Sequence, residues 1–83
     1  MQKLKFTNYF MHTRKRPDRK DIKMEWIVQV YRFPEHQVIQ TDGRKRLWGY
    51  IQKVDKYLRI VVLEDQHTIH NAFFDGDFKK ELI

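Results

Sequence analysis

Three short turn signals follow Pro34, and they constrain the fold more than any other feature of the chain. Asp42-Gly43, Asp55-Lys56 and Asp65-Gln66 separate four segments: His36 to Thr41, Lys45 to Val54, Tyr57 to Glu64 and His67 to Phe74. Past Pro34 the apolar pattern turns from helical to alternating, as strands require. Glycine at position 43 supplies the positive φ of a hairpin turn. Connections this short cannot carry a crossover, so each strand must lie antiparallel to the next. The expectation is a four-stranded antiparallel meander closed by Asp75-Gly76-Asp77. Tyr57 to Glu64 is apolar on both faces apart from Arg59, which predicts a central strand.

Upstream the period is helical. Over residues 18–33, Ile22, Met24, Trp26, Ile27, Val28, Val30, Tyr31 and Phe33 cover most of a helical wheel, leaving a narrow side to Glu25, Gln29 and Arg32. Asp18 is placed to cap this helix, and Pro34 ends it. Residues 8–16 predict a shorter helix that stops before Pro17. Residues 1–7 are either a frayed end or an added edge strand. The fold class expected is α+β: one or two N-terminal helices packed on the meander, with residues 1–83 as a single domain.

A chain of 83 residues buries a thin core. It has no cysteine, so neither disulfides nor thiolate-bound zinc can reinforce it. Two Trp, six Phe and four Tyr compensate with large buried areas. No stretch approaches a membrane span, and the apolar Tyr9-Phe10-Met11 runs at once into His12 and Arg14, too soon for a signal peptide. A cytoplasmic protein without membrane attachment is expected. His67 and His70 fall on opposite faces of a strand and no ligand spacing is present, so neither metal nor cofactor is expected.

The net charge of +6 is unevenly spread. Lys3, Lys5, Arg14, Lys15, Arg16, Arg19 and Lys20 face a single acid, Asp18, within the first 20 residues, while the remainder is neutral. Such clustering concentrates polyanions and steers their approach. Three groups of residues follow from this. On a helix, His12 and Arg16 would share a face, joining a proton donor or acceptor to a phosphate-binding guanidinium; Arg14, Lys15, Arg19 and Lys20 extend the charge. Along Arg44-Lys45-Arg46-Leu47-Trp48-Gly49-Tyr50, the side chains of Arg46, Trp48 and Tyr50 would point one way, with aromatics to stack bases and cations to hold the backbone. The competing arrangement has Trp48 and Tyr50 in the core, facing the helix. Gly49 within a strand marks a bulge or a close backbone approach. Arg59 must be either open to a concave anion site or bridged to an acid.

The succession His12, Arg14, Arg16, then the helix Ile22 to Phe33, Pro34-Glu35, Asp42-Gly43-Arg44, Tyr57 to Glu64 and Asn71-Ala72-Phe73-Phe74-Asp75 resembles a group of small bacterial proteins. That group is in turn similar to the RelE/ParE/BrnT-type toxin superfamily. The likeness runs over residues 9–80. It implies a compact toxin-like (RelE-like) fold with basic residues on the sheet face. Enzymatic members cleave RNA by general acid–base chemistry, and a neighbouring antitoxin masks that face.

Two functions are therefore expected. In the first the chain is an RNA-directed, toxin-like, metal-independent endoribonuclease. There the RNA 2′-OH is the nucleophile, His12 moves protons, Arg16 and Arg46 clamp phosphate and Arg59 stabilises the transition state. In the second it is a non-catalytic module that binds nucleic acid or a protein on the same basic face. RNA and an acidic, antitoxin-like protein are the expected partners, and the chain is a monomer or a homodimer.

Overall fold

The structure, a computed structural model, describes residues 3–78. Residues 1 and 2 of the N-terminal segment and residues 79–83 lie outside the described part. The elements run β1 (Lys5–Phe6), α1 (Asn8–Thr13), α2 (Met24–Arg32), β2 (His36–Ile39), β3 (Lys45–Ile51), β4 (Lys56–Val62) and β5 (Thr68–Phe74). The fold is α+β, with two helices and one mixed sheet of five strands in the order β1-β5-β4-β3-β2.

The meander is antiparallel from β2 to β5. The four-strand expectation is corrected by β1, which pairs parallel with β5 through Lys5–Thr68 and Phe6–Ile69. Of the two expectations for the N-terminal segment, the edge strand is the one realised. Its physical reason is local: Lys5 and Thr7 N–H groups donate to the carbonyls of His67 and Ile69, at 2.9 and 3.1 Å.

The turns form where their residues allow. Gly43 has φ +91°, and Asp55 and Gln66 also take positive φ. Asp65 accepts hydrogen bonds from the His67 and Thr68 N–H groups, at 3.0 and 2.9 Å, and from the Thr68 hydroxyl.

Both helices are shorter than their sequence pattern. Thr7 caps α1, its hydroxyl accepting the Phe10 N–H at 3.0 Å. The helix ends at Thr13, so Arg16 lies beyond it. Residues 14–23 are a chain of turns in which the Arg16 carbonyl accepts both the Arg19 and Lys20 N–H groups at 2.9 Å. Asp18 therefore caps nothing, and α2 begins only after Lys23, which makes no side-chain cap bond. Ile22 is still buried in the core, but from the segment that leads into α2 and not from the helix.

The core lies between the helices and one face of the sheet. Phe10, Ile22, Trp26, Ile27 and Val30 pack on Leu47, Ile51, Leu58, Ile60, Val62, Ile69 and Ala72. At Gly49 the close backbone approach is realised: an added Cβ would stand 2.8 Å from a Val30 methyl. No described helix is long and apolar enough to cross a membrane.

One irregularity decides what the other face carries. Val62 pairs with Ile69, yet Val61 pairs with Asn71, leaving His70 as the extra residue of a bulge. Without it, the ladder running from Val62–Ile69 would set Arg59 opposite Ala72 and turn Phe73 toward the helices. With it, Ala72 enters the core, and Asn71 and Phe73 join Arg59 on the open face.

Candidate nucleic-acid interface

No described helix covers the open face. Strand pairing lines up His36, Trp48, Arg59 and Phe73 across β2, β3, β4 and β5. Arg46, Val61 and Asn71 form the neighbouring row. The Arg59 guanidinium lies between two rings, 5.6 Å from the Trp48 centroid and 5.0 Å from that of Phe73. Arg19 reaches round from the turn segment to the same Phe73 ring, at 5.4 Å, and donates to the Asn71 side-chain carbonyl at 2.7 Å. Three arginines from three separate parts of the chain thus meet on one surface. Stacking against aromatic faces holds guanidiniums in place without neutralising them.

Their charge is only partly offset. Asp75 stands 3.8 Å from Arg59, and Asp18 stands 3.8 Å from Arg19. Among the described residues no carboxylate pairs with Arg46. The Arg59 pKa is lowered, first by burial and then by the charge of Arg46; Asp75 opposes both. The Nε–H groups of Arg19, Arg46 and Arg59 are all shielded from solvent and have no acceptor among the described residues. These Nε–H groups are as closed to an anion as to water, so phosphate oxygens would pair with the other guanidinium nitrogens.

The aromatic residues act differently from the expectation. Trp48 does face away from the helices, so the core-facing arrangement is not the one formed. It is nonetheless only 7% exposed. Phe78 stacks on it at 5.1 Å and Asp75 accepts its indole N–H at 3.0 Å. No ring face of Trp48 is left for a base; the residue supports Arg59. Tyr50 donates its phenol to Asp55, which raises its pKa, and its ring packs on Tyr57 at 5.3 Å.

The other anticipated residues are placed as follows. Arg44 lies on the open side, 3.7 Å from Asp42. Its charge, after burial, lowers the pKa of His70, which contacts the Thr7 hydroxyl at 3.1 Å and stacks on Tyr9. Lys45 points to the helix side by strand alternation, where its ammonium donates to Gln66 at 3.2 Å, so it leaves the interface. His12, Lys15, Arg16 and Lys20 are exposed, and Arg14 lies 5.8 Å from the Phe10 centroid. Because α1 stops at Thr13, the shared helical face of His12 and Arg16 does not form. Neither makes a side-chain hydrogen bond, ion pair or ring contact among the described residues. The structure therefore brings together Arg46, Arg59 and Arg19, and does not join His12 or Arg16 to them.

Asp75, Asn71 and Phe73 were not anticipated as site residues. Asp75 looks like a turn residue in sequence, and the bulge that aligns Phe73 with Arg59 has no sequence mark. Among the described residues no three His, Asp or Glu side chains come together as a metal site. Comparison with protein-family models, with curated proteins and with solved structures finds no match to this chain.

Proposed function

We propose that the chain binds single-stranded RNA across the open face of its sheet, with Arg19, Arg46 and Arg59 holding the phosphates. The convergence of these three guanidiniums on one face, their charge only partly offset by Asp18 and Asp75, carries the reading. Exposed Arg16, Lys15 and Lys20 extend the basic surface from the turn segment. Fluorescence anisotropy with a labelled 12-nucleotide uridine RNA tests it. Three phosphate contacts predict a log–log salt slope of about −2 on a single strand. Arg46→Ala and Arg59→Ala should each reduce that slope by about 0.7. Affinity flat in salt, or unchanged in both variants, overturns the reading.

The toxin-like reading draws on the same feature. It also draws on the order of one strand, two helices and a meander, with arginines on the face the helices leave open. In that reading an acidic, antitoxin-like protein competes with RNA for the arginine row. Cleavage is the further step. His12 carries it only if RNA bound at the row reaches the end of α1. Loss of RNA cleavage in His12→Ala, with binding retained, is the expected outcome; RNA left intact by the unaltered protein leaves a binding module alone.

A further inference from the structure

Beside the arginine row, at the end of the sheet where β3 turns into β4 and β5 ends, lies a cavity of about 320 Å³. That is the lower end of the range for small-molecule sites. We infer that this cavity is a base pocket selective for guanine, an inference that rests on the RNA-binding reading above.

The walls suit a flat aromatic ring. Tyr57 and Phe78 meet edge to face, with centroids 4.8 Å apart and planes at 60°, and Phe74 supplies a further apolar wall. Gly76 leaves the rim open: an added Cβ there would meet nothing within 4 Å. The cavity adjoins the phosphate site directly. Asp75 lines it and also stands 3.8 Å from Arg59. A nucleotide whose phosphate rests on Arg59 therefore has its base at the cavity mouth.

The polar groups select among bases. Asp55 and Lys56, adjacent in sequence, both line the cavity. An ionised carboxylate only accepts hydrogen bonds, and an ammonium only donates them. Asp55 Oδ1 takes the Tyr50 phenol, and Oδ2 has no donor among the described residues. The Lys56 ammonium is held 5.3 Å from the Phe74 ring centroid, at the cavity edge. Guanine alone presents two adjacent donors, N1–H and the 2-amino group, beside two acceptors, O6 and N7. Adenine and cytosine set a ring-nitrogen acceptor beside their amino group, which a carboxylate repels. Uracil offers one N–H between two carbonyls. Asp75 does not compete for this role, since its oxygens already take the Trp48 indole and the Asp77 N–H.

Anisotropy titrations with uridine 12-mers carrying one central guanosine, adenosine or inosine decide the matter. The unaltered protein should bind the guanosine strand about tenfold tighter than the adenosine strand, with inosine, lacking the 2-amino group, between them. Asp55→Asn, which turns one of the carboxylate's acceptors into a donor, should abolish that preference while leaving all-uridine binding and its salt slope unchanged. Equal affinity for guanosine and adenosine strands overturns the guanine pocket and leaves the arginine interface standing. So does a preference that survives Asp55→Asn. Failure of every strand to bind overturns both.

Discussion

Arg46 and Arg59 stand diagonally across adjacent strands of the open face, and the charge of Arg46 disfavours the charged form of Arg59. Diagonal cross-strand neighbours with long side chains are within reach of each other, and like charges there repel at a cost of about a few tenths of a kcal/mol. Their placement side by side fits a surface arranged for an anion and not for stability alone. Arg46→Met should accordingly raise the thermal midpoint, by about 0.5 kcal/mol in stability, while weakening RNA binding. Differential scanning calorimetry and anisotropy on the same sample measure both effects.

Gly49 should tolerate no side chain. Its Cβ position lies 2.8 Å from Val30, on a helix already seated on β3 and β4. Gly49→Ala is expected to cost about 1–3 kcal/mol through overpacking. In the double variant with Val30→Ala the two effects should be strongly non-additive, because the second substitution makes room for the first. Urea denaturation of the four proteins gives the coupling.

Asp65 should govern part of the acid response. Its pKa is lowered to about 2, first by the Thr68 hydroxyl and then by the His67 N–H. The unfolded carboxyl takes up its proton near the ordinary value of about 3.9, before the folded one does. The contribution is therefore complete above about pH 4 and is lost as pH falls toward 2. Asp65→Asn should flatten the stability–pH curve over that window and leave it unchanged at neutral pH beyond a constant offset. Urea midpoints measured from pH 2 to pH 6 test this.

His70 should titrate below an ordinary histidine, because burial and then the Arg44 charge disfavour its cation. Its neutral form is the one the fold prefers, so its contribution is present above the unfolded value and lost as pH falls through the folded one. Arg44→Ala should move the His70 pKa upward, toward the ordinary value. An NMR titration of the imidazole signals shows the shift; an unmoved pKa would place Arg44 too far away to act.

The meander was legible because its turn residues are chemically specific: Gly43 at positive φ, and Asp65 with its side-chain bonds. The apolar side of α2 was legible too, and Gly49 declared a close approach. The helix boundaries were not. Ile22 fits the helical period, but the Arg16 carbonyl draws the Arg19 and Lys20 N–H groups into turns, and the Arg19 side chain is committed to Asn71 and Phe73. The same turns separate Arg16 from His12. Arg46 and Arg59 were identified from chemistry alone, while Asp75 as the partner of Arg59 depended on a register that a single extra residue, His70, had shifted. Strand alternation could have excluded Lys45, which lies one position from Arg46 on either reckoning.

The pairing of β1 with β5 sets an order on assembly. β2 to β5 meet through turns of a few residues, and such contacts close early in folding. The two residues of β1 must instead find Thr68 and Ile69 across more than sixty intervening positions, and they return few hydrogen bonds for the entropy spent. On a ribosome, β1 emerges ahead of the meander and waits unpaired until residue 69 has been made, so it docks late, as a latch on strands β2 to β5.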